Sequence, residues 1–420
     1  MSSLDRTQAP PFQLSRNYSL VRPDIVPVAK GVNFFLFRNI QQEVVKLELI
    51  FSSGKWYEPK LGVSHFTAQM LTKGTAKRNS FQIAEAIDLL GAHLEITPGF
   101  DIVSVSLLCL RKNMLAAIRI LVEILEEPAF DEQELLLMKD IFIQNLKVNN
   151  EKTAVVASRE IRKAVFGKHH PYGSAVEEED AGAIATEDLR SFFRQGFRLH
   201  AAFLVGRLSD AEVQEVIDAI PAQLIKGREE RIFQPVGGKS IRIEKPGSVQ
   251  ASVRLAKRCI ARGDSHDYFD SVMFNHLLGG FFGSRLMKNI REEKGLTYGI
   301  YSSLHHFLNE SFWLIGAEVN QQNAARVIEE IRFEIKALQN ELVSDDELDV
   351  ARNYFIGSWQ SENATLFSVA EKIQSIFLHG LPDGYYEHLL ERVQHITPQQ
   401  LQAAANTYFD TSDLIEVQVG

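Results

Sequence analysis

Cysteine is almost absent: Cys109 and Cys259 are the only two in 420 residues, and both lie in apolar runs. That excludes a disulfide scaffold and a cysteine-based zinc module. Long apolar runs are missing as well. No stretch approaches the ~18 uninterrupted apolar residues of a membrane-spanning helix, so no membrane partner is expected. Residues 1–11 carry no apolar core and no cleavage signal, which speaks against a secretory peptide. There is no basic excess, since 45 Lys plus Arg stand against 54 Asp plus Glu, a formal net charge of −9. A chain this acidic has no general electrostatic attraction for nucleic acid, and none is expected as a partner. Together these absences point to a reducing compartment, most simply the cytoplasm. The 45% apolar and 24% charged residues are ordinary for a globular chain. The length suits two domains.

Residues 1–22 read as an extended arm. Short strand patterns then alternate with longer helical ones. Residues 45–51 alternate apolar and polar with period two, as a strand does. A loop over 54–62 precedes a helix over 62–73 that stops at Gly74. Ser80 is expected to cap a second helix, with Ile83, Ala84, Ile87 and Leu90 on one face. Strands follow at 93–97 and 103–110, then helices over 112–125 and 131–149. The second half repeats this order: strand 250–256, helices 268–278 and 284–294, strands 298–305 and 312–319, and a long helix over 322–342. Local echoes support a duplication. Residues 130–135 resemble 343–348, and 87–91 resemble 290–295, each displaced by about half the chain. The join falls in 226–239, a charged stretch that becomes Pro/Gly-rich. The expected organisation is an arm over 1–22, a domain over 23–230, a linker over 231–239 and a domain over 240–420. The expected fold is α+β: two similar domains, each a mostly antiparallel sheet with helices packed on one face.

Two segments carry chemical information. The first runs from Gly54 through Glu58-Pro59 and His65-Phe-Thr-Ala-Gln69 to Lys73-Gly-Thr75. It resembles the active-site helix of the pitrilysin/insulinase zinc metallopeptidases, the inverzincins. In that family a G-x-x-x-E-P loop leads into H-x-x-E-H and then K-G-T. Histidines at i and i+4 share a helix face and can both reach zinc, and the Glu between them can act as base toward the metal-bound water. A Glu from a later helix completes the site. In this sequence the frame is kept and the chemistry is not. His65 stands at the first histidine, Ala68 at the base and Gln69 at the second histidine. Asn145 is the best placement for the later Glu, and Glu151 lies beyond it. Neutral amides are poor zinc ligands beside imidazole and carboxylate. Losing the base alone removes roughly 10²–10⁴-fold. No metal is expected in this chain, and His65 is expected to be hydrogen-bonded within a packed helix.

The second segment, Leu277 to Ser303, contains Leu277-x-Gly-Gly, Ser284-Arg-Leu, Ile290-Arg-Glu and Gly295-Leu-x-Tyr298. It resembles the family's second-domain signature. The resemblance implies that Arg291 and Tyr298 project into a chamber, bind substrate backbone and help stabilise the tetrahedral intermediate. A guanidinium and a phenol can both donate to a developing oxyanion. The bland alternative pairs Arg291 with Glu292 or Glu293 and packs Tyr298 in a sheet. His93 and Glu95 lie on the strand that the family uses to hold extended substrate, where β-addition supplies main-chain hydrogen bonds.

Several other features carry less. Gly279-Gly-Phe-Phe-Gly283 lacks the phosphate-cradling patterns. The pairs His169-His170 and His305-His306 do not have metal-ligand helix spacing. His170-Pro-Tyr-Gly173 resembles a structural turn of the family, and the acidic run 177–180 reads as a solvated face.

The resemblance spans about residues 45–409. In the family's processing branch two such units pair, one bearing zinc and the other lending its Arg/Tyr pair across the chamber. The chain therefore resembles the second kind: a non-catalytic subunit of a heterodimeric zinc endopeptidase acting on oligopeptides. Its implied partner is a homologous subunit with an intact H-x-x-E-H and its own zinc. The alternative is a stand-alone peptide-binding or structural homodimer without catalysis.

Overall fold

The computed structural model describes residues 19–29, 31–225 and 230–420. Most of the expected arm and residues 226–229 of the expected join lie outside the described residues. Six strands form the first sheet: β1 (Asp24–Ala29), β2 (Val32–Phe37), β3 (Val44–Phe51), β4 (His93–Pro98), β5 (Val103–Leu110) and β6 (Leu199–Val205). Their order is β1-β2-β6-β3-β5-β4, antiparallel except where β2 meets β6. Five strands form the second: β7 (Ile241–Ile243), β8 (Gln250–Arg258), β9 (Thr297–His306), β10 (Ser311–Asn320) and β11 (Ile415–Val419). Their order is β7-β11-β8-β10-β9, and β7 and β11 alone run parallel. Both sheets are mixed but mostly antiparallel, and the α+β class follows. Strand β4 is an edge of the first sheet and β9 an edge of the second.

Alternation along the strands sorts side chains onto two faces. In the first sheet Phe34, Leu36, Leu47, Leu49 and Leu204 enter a core shared with helices of their own half. The opposite residues Phe35, Phe37, Ala201 and Phe203 enter a core shared with the second half. Helix Leu366–Leu378 covers that face, with Phe377 against Phe35 at 4.9 Å between ring centroids. Its Glu371 reaches Lys46 of β3 at 3.2 Å. The exchange is reciprocal. Helix Thr153–Phe166 leaves the first half and packs Ala157, Ala164 and Phe166 with Phe312, Leu314, Val417 and Val419 of the second sheet. Each sheet thus carries its own helices on one face and a helix lent by the other half on the opposite face.

A third contact between the halves is polar. The Tyr172 hydroxyl donates to buried Asp101, whose Oδ2 accepts from the Leu308 amide at 3.1 Å in the β9–β10 turn. Tyr172 also stacks on Phe307 at 4.0 Å. The His170-Pro-Tyr-Gly173 turn is therefore a buried clasp between the halves.

One local expectation is corrected. The second helix, Ser80–Leu89, is capped by Asn79, not Ser80. Asn79 Oδ1 accepts from the Gln82 amide at 2.9 Å, and the Asn79 amide donates to Gln82 Oε1 at 3.0 Å, a reciprocal capping box. Ser80 Oγ donates instead to Glu134 at 2.8 Å. Among the described residues no helix is long and apolar enough to cross a membrane.

Candidate functional site

Helix Val63–Met70 begins at Gly62, whose φ of +93° is a left-handed conformation that favours glycine. Glu58 caps this entry. Its Oε2 accepts from the Gly62 amide at 3.0 Å and the Ser64 amide at 3.4 Å. Burial pushes the Glu58 carboxyl up to about 7, against the opposing pull of Lys55. The loop and the helix therefore reproduce the frame that would present a zinc site.

The four positions that would do the chemistry are spent otherwise. His65 is half-buried between Phe66 and Phe142, at 5.4 and 5.3 Å between ring centroids. Burial lowers its pKa, which favours the neutral ring. The hydrogen bond expected for His65 is not among those of the described residues; ring packing holds it. Ala68 is fully buried and has no ligating atom. Gln69 Nε2 donates to the Ile96 carbonyl of β4 at 3.2 Å, so it ties the helix to the edge strand. Asn145 sits on the exposed side of helix Glu132–Asn150. Glu151, beyond that helix, is an exposed partner of Lys245 at 3.0 Å. Among the described residues no three His, Cys, Asp or Glu side chains gather to hold a metal. The donor set does not fit zinc.

The second segment is built differently. Gly279 lies against β9, and a Cβ there would sit 2.6 Å from the Ser302 amide nitrogen, so only glycine permits the approach. The π-helical turn Met287–Glu293 follows. Its acidic neighbours are taken up elsewhere: Arg285 holds Glu347 through two bonds of 2.8 and 3.0 Å, and Asn289 donates to buried Glu334 at 2.6 Å. Lys294 pairs with Glu330 at 2.5 Å. Arg291 forms no ion pair with a carboxylate among the described residues. Its guanidinium lies over the Phe282 ring, 4.7 Å from the centroid. No hydrogen bond of the Arg291 guanidinium is among those of the described residues, so its N–H donors are not taken up by the fold. The pairing with Glu292 or Glu293 in the alternative reading is absent from the described ion pairs.

The chain then turns at Gly295, and the Leu296 amide donates back to the Ile290 carbonyl at 2.9 Å. In β9, Thr297 faces Val319 and Ile300 faces Ala317. Tyr298 and Gly299 thus oppose Glu318 alone, which is a β-bulge. A bulge re-aims a side chain out of the strand's alternation. Tyr298 is 93% exposed, so it does not pack in the sheet.

His93 and Glu95 project outward from β4, with Nε2 and Oε2 4.0 Å apart. Beside His65 lies a cavity of about 640 Å³ whose wall includes Lys55, Arg159 and Arg162. Sequence reading missed these cations and missed Phe282 beneath Arg291. The spacing of Arg159 and Arg162, three apart on one helix, was the available signal.

Comparison with known proteins agrees with this architecture. The family described as Insulinase (Peptidase family M16) matches residues 34–179, and the family described as Peptidase M16 inactive domain matches residues 183–355. The chain belongs to the insulinase family of peptidases and their homologues. It is 23% identical over 78% of its length to 81% of the uncharacterized zinc protease YmxG of Bacillus subtilis. It is 24% identical over 88% of its length to 87% of the non-peptidase homolog YmxG of Helicobacter pylori. Its fold matches the crystal structure of a peptidase M16 inactive domain from Pseudomonas fluorescens with a TM-score of 0.85 and 26% identity, covering 95% of this chain and 98% of that one.

Proposed function

We propose that this chain is the non-catalytic subunit of a heterodimeric zinc endopeptidase acting on oligopeptides. In this reading a homologous subunit with an intact H-x-x-E-H supplies the metal, and this chain supplies Arg291 and Tyr298. The observation that carries it is the contrast in donors. Arg291 keeps its N–H groups clear of every described carboxylate, and a bulge turns Tyr298 out of its edge strand. Two such donors on one side of a substrate carbonyl would stabilise negative charge as it develops there. The zinc helix of the same chain offers no ligand set of its own. The name non-peptidase homolog, given to the Helicobacter relative, supports the same division. The two free cysteines suit a reducing cytoplasm.

The exposed outer side of β4, with His93 and Glu95, favours a second reading: a stand-alone peptide-binding or structural homodimer that adds an extended peptide to its sheet edge. Reconstitution separates the two. Mixing this chain with its cognate intact subunit is expected to give a stable one-to-one complex and to switch on oligopeptide cleavage. Full activity of the intact subunit alone would overturn the subunit reading. Peptide binding by this chain alone, with no gain in cleavage on mixing, would select the second.

A further inference from the structure

The cavity beside His65 has a chemistry that the vestigial zinc helix does not explain. Its floor is apolar, built from Phe142 and Leu146 of helix Glu132–Asn150 and from Phe100 of the β4–β5 turn. Its charge comes from elements that carry no zinc-site position. Lys55 belongs to the loop before the helix, and Arg159 and Arg162 belong to the lent helix Thr153–Phe166. The volume, about 640 Å³, is in the range of small-ligand sites.

Two of these cations flank one ring. Lys55 Nζ and the Arg162 guanidinium carbon each lie 5.6 Å from the Phe100 centroid. Arg162 pairs with no carboxylate among the described residues, and its Nε is buried without a hydrogen-bond partner. Lys55 donates to the Ser174 carbonyl, a neutral acceptor. Arg159 is better satisfied. It donates to Asn150 Oδ1 at 2.9 Å and stands 3.4 Å from Glu160 and 3.7 Å from Glu177. The one carboxylate on the wall, Glu58, is turned toward the helix amides. Lys55 and Arg162 repel each other beside the Phe100 ring; Glu58 and Asp180 offset the Lys55 charge, whereas no carboxylate among the described residues acts on Arg162. Burying the Arg162 charge without a counter-charge is costly, and an anion entering the cavity would relieve that cost.

We infer that this cavity binds a carboxylate with an apolar body, its charge held by Lys55 and Arg162 and its body resting on Phe142 and Leu146. A planar guanidinium matches a carboxylate in two parallel hydrogen bonds. The same chemistry is offered by the C-terminal residue of a peptide and by a free apolar acid. The inference stands on first-half residues and does not depend on Arg291, Tyr298 or a partner subunit.

Calorimetric titration of the full chain tests it with three probes: an N-acetylated tripeptide ending in leucine, its C-terminal amide, and octanoate. Saturable binding of the free-acid peptide, at least about tenfold tighter than its amide, is expected for a peptide C-terminus. Binding of octanoate more tightly than the peptide assigns the site to a free acid. Arg162→Gln is expected to weaken the bound carboxylate by about tenfold or more. Val155→Asp, at the exposed rim, places a negative charge there without touching the core and is expected to have the same effect. It covers the case in which Arg162→Gln fails to fold. No binding of either acid, equal affinity for acid and amide, or affinity unchanged in a folded variant would overturn the inference.

Discussion

Helix Val63–Met70 and the segment from Ser284 to Tyr298 lie in the two halves of the chain, and they treat their polar groups in opposite ways. In the first, the side chains at the chemical positions have turned inward or lost their donors. Gln69 bonds to its own sheet, Ala68 is sealed, and His65 lies between phenyl rings. In the second, structural residues absorb the acids, and Arg291 and Tyr298 stay out of internal bonds. The comparison separates scaffold from reagent. Glu58, Gly62 and the buried helix face are needed to fold the loop whether or not zinc is bound, whereas a ligand set is needed only for the metal. An exposed tyrosine on a bulge and an arginine without an acid do nothing evident for folding.

The largest effect expected tests the second region. In the reconstituted complex, Arg291→Ala and Tyr298→Phe should each lower kcat by roughly 10²–10³-fold, the usual loss for one oxyanion donor. Assembly, followed by gel filtration, should be unchanged. Unaltered rates for both variants would make the pair structural and erase the contrast.

The next effect tests the first region. Ala68→Glu restores the family's base in sequence, but the position is fully buried and, among the described residues, no metal-ligand set gathers around it. Urea unfolding is expected to show a loss of about 3 kcal/mol, the scale of an uncompensated buried charge. Elemental analysis should find no stoichiometric zinc in either protein. One zinc per chain, lost on His65→Ala, would show that the first region still works as a site.

The smallest effect concerns the loop that frames the helix. Glu58 titrates at about 7 when folded against 4.5 for an ordinary glutamate, because burial disfavours its charge. The folded state therefore holds the proton more tightly, and stability is lost as pH rises from 4.5 to about 7. Lys55, lowered to about 8 mainly by burial, acts in the opposite sense and only above that pH. Glu58→Gln should flatten the decline in urea midpoint across the acidic window. An unchanged slope would mean that Glu58 is not the group that couples the loop to pH.

Much of this was legible from residues alone, because the informative features are local. Strand alternation, the stop at Gly74 and the glycines around 279–283 are properties of adjacent residues. The replaced ligands were equally plain, since Ala68 and Gln69 can be read without coordinates. The fate of the replacements was not. Nothing in the sequence says that Gln69 reaches Ile96 or that Phe142 lies against His65, because those contacts join segments far apart in the chain. The bulge at Tyr298 was hidden for a similar reason, as it is defined by the strand opposite. The cap at Asn79 was missed by one residue, since Asn79 and Ser80 are both capping types and only the Gln82 contact distinguishes them.

The reciprocal lending of helices Thr153–Phe166 and Leu366–Leu378 has a topological consequence. Neither half contains all the surface that seals its own sheet, so the two are interlocked as a pair of clasped hands is. Cutting the polypeptide between 230 and 239 would break one covalent connection and leave both grips in place. The fragments would travel together until a denaturant opened both grips, and a gene split there would have to express both pieces in one cell.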